Sequence, residues 1–180
     1  MKTADLFKRE HDAILEFIDA LESIGRYMEN GNDVPAEDLS IVLDFIESFT
    51  AGYHQAREET IIFPAMEKAG ILAHNGPLGI MTAQHHALRG YIRLMDDSLA
   101  HIPFHRDKFI KAAEDYSALA RSHIEKETRE IFPLADLKME QASIESLCRD
   151  LDNYDITVTG AARLEELYKI PGLLKGAYQE

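Results

Sequence analysis

The segment His54-Gln55-Ala56-Arg57-Glu58 returns 69 positions later as His123-Ile124-Glu125-Lys126-Glu127. Each glutamate is followed, across four intervening residues, by a Phe-Pro pair, Phe63-Pro64 and Phe132-Pro133. On a helix, positions i and i+4 differ by about 40° in azimuth and lie one turn apart. Each copy therefore aims one imidazole and one carboxylate at the same spot. Two copies imply a site with two centres, carried on two helices.

A weaker echo precedes each copy. Glu10-His11-Asp12-Ala13-Ile14 leads into Ile18, and Gln84-His85-His86-Ala87-Leu88 leads into Ile92. His11 aligns with His85, Ala13 with Ala87, Ile14 with Leu88 and Ile18 with Ile92. The chain thus reads as two related halves, each giving one lone histidine and one His-x-x-x-Glu pair. Packed about a pseudo-twofold axis, the halves would bring together His11, His54, Glu58, His85, His123 and Glu127.

The apolar spacing is helical throughout. Phe7, Ile14, Ile18, Leu21 and Met28 form the stripe of a first helix, capped by Thr3 or Asp5 and stopped at Asn30-Gly31, and His11 falls on that stripe. A second helix is predicted over 36–68, with Ile41, Phe45, Phe49, His54, Glu58, Ile61 and Ile62 inward. Pro64 should bend or end it, and Glu59, about 100° around from Glu58, should face water. The third, over 77–100, has His85 on its stripe with Leu78, Met81, Leu88, Ile92, Met95 and Leu99, while His86 is rotated off. The fourth, from 105 or 106 to 137, lines up Phe109, Ala112, Tyr116, Leu119, His123, Glu127, Ile131 and Leu134. His74, His101 and His105 lie in or beside loops.

Four long amphipathic helices with short connections specify an all-α, up-down-up-down antiparallel four-helix bundle. That unit spans 1–138. Residues 139–180 form a helical C-terminal extension, with a short helix at Ile144, Leu147, Cys148 and Leu151 and another over 161–168 that ends before Pro171-Gly172. The extension packs on the bundle or at a subunit interface, a homodimer being the simplest assembly.

A glutamate on an apolar stripe is costly unless neutralised, paired or bound to a cation. Glu58 and Glu127 each lie one turn beyond a histidine on such a stripe. Arg57 and Lys126, adjacent in sequence, point elsewhere, which leaves Arg89 as the rival counter-charge. Imidazole with carboxylate and no thiolate suits iron or manganese, and zinc would also bind. Two six-coordinate ions bridged by both glutamates would take four carboxylate and four imidazole positions. An oxide or hydroxide bridge would take two more, leaving about two positions for water or a small ligand. One mononuclear site, with the other residues around it, is the competing arrangement.

The net charge of −13 argues against nucleic acid or an anionic membrane as partner. Cys148, the single cysteine, excludes an intrachain disulfide and a cysteine-based zinc site. No apolar leader or membrane-length run precedes the first helix, so a cytoplasmic location is expected.

The set His11, His54-x-x-x-Glu58, His85, His123-x-x-x-Glu127 resembles the hemerythrin-like (HHE cation-binding) family over about residues 4–138. The resemblance extends to Glu58-Glu59 with Phe63-Pro64, and to Gly76-Pro77-Leu78-Gly79-Ile80-Met81. It implies a bundle around two non-heme iron ions bridged by Glu58 and Glu127, with the four histidines as terminal ligands. The chain departs from the oxygen-carrying hemerythrins in two places. Arg89 stands where they have a second histidine on the third helix, and His-x-x-x-Glu replaces their His-x-x-x-x-Asp on the fourth. These departures argue against oxygen storage and bring the chain closer to bacterial members implied in responses to oxygen, nitric oxide, peroxide or iron stress. A protein that binds or senses dioxygen or nitric oxide is the first expectation. The alternatives are an enzyme reducing nitric oxide or peroxide, which would need a partner reductase because the chain has no Cys-x-x-Cys, flavin or nucleotide motif, and an iron-handling or iron-centre repair protein.

Overall fold

The computed structural model describes residues 2–178. Among them it has six helices and no strand, as the periodicity required. We number them α1 (Thr3–Glu29), α2 (36–68), α3 (Pro77–Ala100), α4 (106–138), α5 (141–159) and α6 (Ala161–Tyr178). Helices α1 to α4 form the antiparallel bundle.

Three long helices contain wide turns with i→i+5 bonding, at Phe45–Gln55 and Glu58–Ile62 in α2, Glu127–Ile131 in α4 and Asp155–Thr159 in α5. The two copies of the Phe-Pro motif share one solution. Phe63 N–H donates to Glu58 O, and Phe132 N–H to Glu127 O. The extra residue in the turn lets each proline ring escape the carbonyl one turn back, so Pro64 and Pro133 are absorbed without ending their helices.

At its ends α1 differs from expectation in one respect. Of the two expected caps Asp5 serves, accepting from the Lys2 N–H at 3.0 Å, whereas the Thr3 N–H and hydroxyl both donate to Asp136 Oδ1, at 2.8 and 2.7 Å, tying α1 to the end of α4. The stop is as expected, with Gly31 at φ 85° just past the last turn.

The core divides into two apolar clusters. The larger is built on Ile14, Phe17, Phe45, Phe49, Leu88, Met95, Phe109 and Tyr116. The smaller plugs one end of the bundle with Phe7, Ile62, Phe63, Met81, Ile131 and Phe132. Helix α5 adds Ile144, Leu147 and Leu151 to that plug.

Helix α6 lies along α1 and α2, parallel to the first and antiparallel to the second. Arg9 bonds Glu165 at 3.1 Å, while Arg163 grips both Asp44 carboxylate oxygens at 2.6 and 2.7 Å. Contrary to the sequence reading, α6 does not end before Pro171 but continues to Tyr178. An internal proline costs about 3 kcal/mol. Beyond it Leu174 and Tyr178 are buried in the main core, and the Tyr178 hydroxyl donates to Asp38; that burial outweighs the lost turn.

Candidate metal centre

Between the two apolar clusters runs a single polar layer. His11 on α1, His54 and Glu58 on α2, His85 on α3, and His123 and Glu127 on α4 all point into it. None is more than 6 % exposed, and Glu58, His85 and Glu127 are at 0 %. The sequence placed each of these residues on an inward stripe, and the fold brings all six together. His86 is exposed, as its rotation off the stripe implied.

The atoms fall into two groups of four, His11-His54-Glu58-Glu127 and Glu58-His85-His123-Glu127, each with its ligand-type atoms within 4.8 Å of one another. Both glutamates belong to both groups. Glu127 offers one oxygen to each half, Oε2 to His11 Nε2 at 3.2 Å and Oε1 to His123 Nε2 at 2.9 Å. Glu58 offers Oε2 to both, 3.3 Å from His85 Nε2 and 3.6 Å from His54 Nε2. Metal–ligand bonds of about 2.1 Å place neighbouring octahedral ligand atoms about 3 Å apart and opposite ones about 4.2 Å apart. The observed separations fit that frame.

The polar atoms themselves call for a cation. All four carboxylate oxygens of Glu58 and Glu127, with Nε2 of His11 and His54, are buried without a hydrogen-bond partner among the described residues. His85 Nε2 and His123 Nε2 face each other at 3.0 Å. Leaving such groups unpaired costs several kcal/mol in aggregate, on the order of 1–3 each. Arg89, the rival counter-charge, does not reach either buried glutamate; it donates to Glu59.

The electrostatics agree. Burial alone would lower the His54 pKa, but Glu58, Glu10 and Glu127 outweigh it and lift the imidazole to about 9. Burial likewise opposes and the carboxylates raise His85. Glu127 is held well below its usual range, against its burial, by His123 and His11. The layer concentrates negative charge and draws cations, whether protons or metal.

Three residues outside the six orient the imidazoles, and the sequence reading missed them. His54 Nδ1 bonds Glu10 Oε2 at 2.9 Å, and His123 Nδ1 bonds Gln84 Oε1 at 3.0 Å. Glu10 and Gln84 each immediately precede a lone histidine, so the echo between the halves contained the signal. His85 Nδ1 bonds Glu59 Oε1 at 2.7 Å, and Arg89 shares that oxygen at 2.7 Å. Glu59 therefore faces water only in part, its side chain 29 % exposed; its carboxylate is engaged with His85, whose hydrogen bond holds its pKa down at about 2 against partial burial. Such outer carboxylates fix the ring and leave Nε2 free to bind. The second half has Thr128, an exposed residue, where the first has Glu59.

A family model described as Hemerythrin HHE cation binding domain matches residues 2–135. No curated protein and no solved structure gives a match.

Proposed function

The chain belongs to the hemerythrin HHE cation-binding family, and on that premise we propose that it is a non-heme di-iron protein that binds or senses a small oxidant, dioxygen or nitric oxide. The observation that carries the reading is the pair of four-residue groups sharing Glu58 and Glu127, whose buried carboxylates face only imidazole nitrogens among the described residues. His11 and His54 would hold one ion, His85 and His123 the other, and the two glutamates would bridge them. An iron pair held there supplies open coordination positions and redox chemistry.

The chain's own contribution is orientation and exclusion. Glu10, Gln84 and Glu59 hold three imidazoles with Nε2 inward. Phe7, Phe63 and Phe132 close the layer from the plug side, and the main core closes it from the other. So closely packed a layer leaves room for a small ligand rather than a bulky one. That selectivity favours a diatomic ligand over the exchange of metal with a bulky acceptor.

The test is metal content of anaerobically purified protein, with optical spectra before and after air or nitric oxide. Two irons per chain and a new charge-transfer absorption on exposure support the reading. One metal per chain, or two irons with an unchanged spectrum under both gases, would overturn it.

A further inference from the structure

The C-terminal extension reaches the polar layer through one buried chain of contacts. His54 Nδ1 is 2.9 Å from Glu10 Oε2, and Glu10 Oε1 is 2.5 Å from Arg57 Nη1. Arg57 Nε then lies 3.4 Å from Asp155 Oδ1, on α5. Arg57 is 3 % exposed, an unusual place for a guanidinium. It is wedged between rings, 4.5 Å from the centroid of Tyr53 and 5.6 Å from that of Phe7. Its orientation is therefore set by two carboxylates and two aromatic faces. One of those carboxylates comes from outside the bundle.

The last contact in this chain is a loose joint. Arg57 Nε and Asp155 Oδ1 are both buried, and neither has a hydrogen-bond partner among the described residues. Asp155 opens the wide turn Asp155–Thr159, which ends at Gly160 with φ 79°, a backbone state that favours glycine. Ile156 and Val158 in that turn are 75 % and 62 % exposed. The joint thus sits on the last turn of α5, a short stretch with little packing of its own just before the chain turns into α6. Second-half symmetry offers nothing equivalent, because Lys126 stands where the first half has Arg57.

We propose that Asp155 is a positioning residue for the His54 half of the metal centre, acting through Arg57 and Glu10, so that the seat of segment 155–160 and the occupancy of that half depend on each other. The inference rests on the di-metal reading above. Withdrawing Asp155 frees Arg57 to swing on Tyr53, and Glu10 then ceases to hold the His54 ring. By reciprocity, a metal that fixes His54 tightens the joint and quiets the segment.

The experiment uses the full chain loaded with ferrous iron under nitrogen, and a colorimetric chelator to follow removal of each ion. Asp155→Asn keeps the side chain's shape and removes its charge, and should speed the loss of one ion about tenfold while leaving the other unchanged. Asp155→Glu should stay close to the native rate. Arg163→Ala, which loosens the extension away from the centre, should change neither rate. In parallel, amide exchange in 155–160 should slow on iron loading in the native chain and not in Asp155→Asn. Native release of both ions from Asp155→Asn, or equal acceleration of both ions in Asp155→Asn and Arg163→Ala, would overturn the inference and leave the metal reading standing. A native chain that takes up no iron would overturn both.

Discussion

Phe132 lies flat against His11, ring centroids 5.8 Å apart and planes 17° from parallel, and Phe63 meets His85 in the same way at 5.8 Å and 16°. Each phenylalanine of a Phe-Pro pair covers the lone histidine of the opposite half. The repeated motif is thus a cross-lock: one half supplies the His-x-x-x-Glu pair and the ring that steadies its partner's imidazole. The wide turns at Glu58–Ile62 and Glu127–Ile131 set where those rings point. His11 has the greater need of the lock, since it is the most exposed of the six. Phe132→Leu is therefore expected to weaken iron binding more than Phe63→Leu, because His85 keeps Glu59 as a second support. Parallel iron titrations of the two variants check the order, and equal losses would dismiss the cross-lock as a binding device.

Glu58→Gln and Glu127→Gln should each abolish binding of the ion pair, because both groups of four lose a bridging carboxylate. The metal-free protein should respond in the opposite sense. An amide buried in place of an unpaired carboxylate removes a desolvation cost of several kcal/mol at most. Above about pH 9, where His54 is neutral and no longer pairs with Glu58, the melting temperature of metal-free Glu58→Gln is expected to match or exceed that of the native chain. A marked fall in it would show that the glutamates serve the fold rather than a cation.

The bundle and the six-residue layer were legible in the sequence because one rule governs both: spacing by threes and fours puts Ile14, His11 and Phe7 on one stripe, and the same for the other helices. Glu59 was not legible, for two reasons. Regular α turns would put residue 59 on the outer face, whereas it lies in a wide turn; and its partners, His85 and Arg89, belong to another helix. Glu10 was visible as part of the echo but carried no periodic signal, since its role depends on Arg57 and His54 arriving from α2. Pro171 misled because local propensity gives way when Leu174 and Tyr178 beyond it are buried.

Glu59→Gln should weaken binding at the His85 half about 10- to 100-fold, the usual effect of removing an outer carboxylate from a ligating histidine. The Glu59 pKa is lowered to about 2 from 4.5. Its support is then fully present above about pH 4.5 and fades only as the pH falls toward 2. Acid release of metal from the native chain between pH 6 and 4 is therefore owed to the imidazoles. His86→Ala, at the exposed neighbour of His85, should leave affinity unchanged in the same titration; a large loss there would mean the wrong member of the doublet faces the layer.

His54 gives the metal-free chain an opposite dependence. Its pKa is raised from 6.5 to about 9, so its contribution is full below about 6.5 and disappears as the pH rises through 9. Metal-free protein should lose thermal stability across that window. A metal needs the imidazole neutral, so uptake below pH 9 must release a proton and affinity must climb with pH. Proton release on adding manganese at pH 7.5, followed with a weakly buffered indicator, measures this. Uptake without proton release would place His54 outside the ligand set.

Leu167 on α6 is fully buried in the same apolar cluster as Ile14, Phe49 and Tyr116. The extension is thereby continuous with the bundle core rather than an appendage resting on it. Leu167→Ala leaves a cavity there and should cost about 2–5 kcal/mol. Because the cluster is shared, urea unfolding of native and variant chains is expected to follow one transition, reported identically by helix content and by tyrosine fluorescence. Two separate transitions, with only the first moved by Leu167→Ala, would mean that α6 unseats independently. The contacts of α5 at Arg57 would then have to be held by α5 alone, through Ile144, Leu147 and Leu151 against the plug.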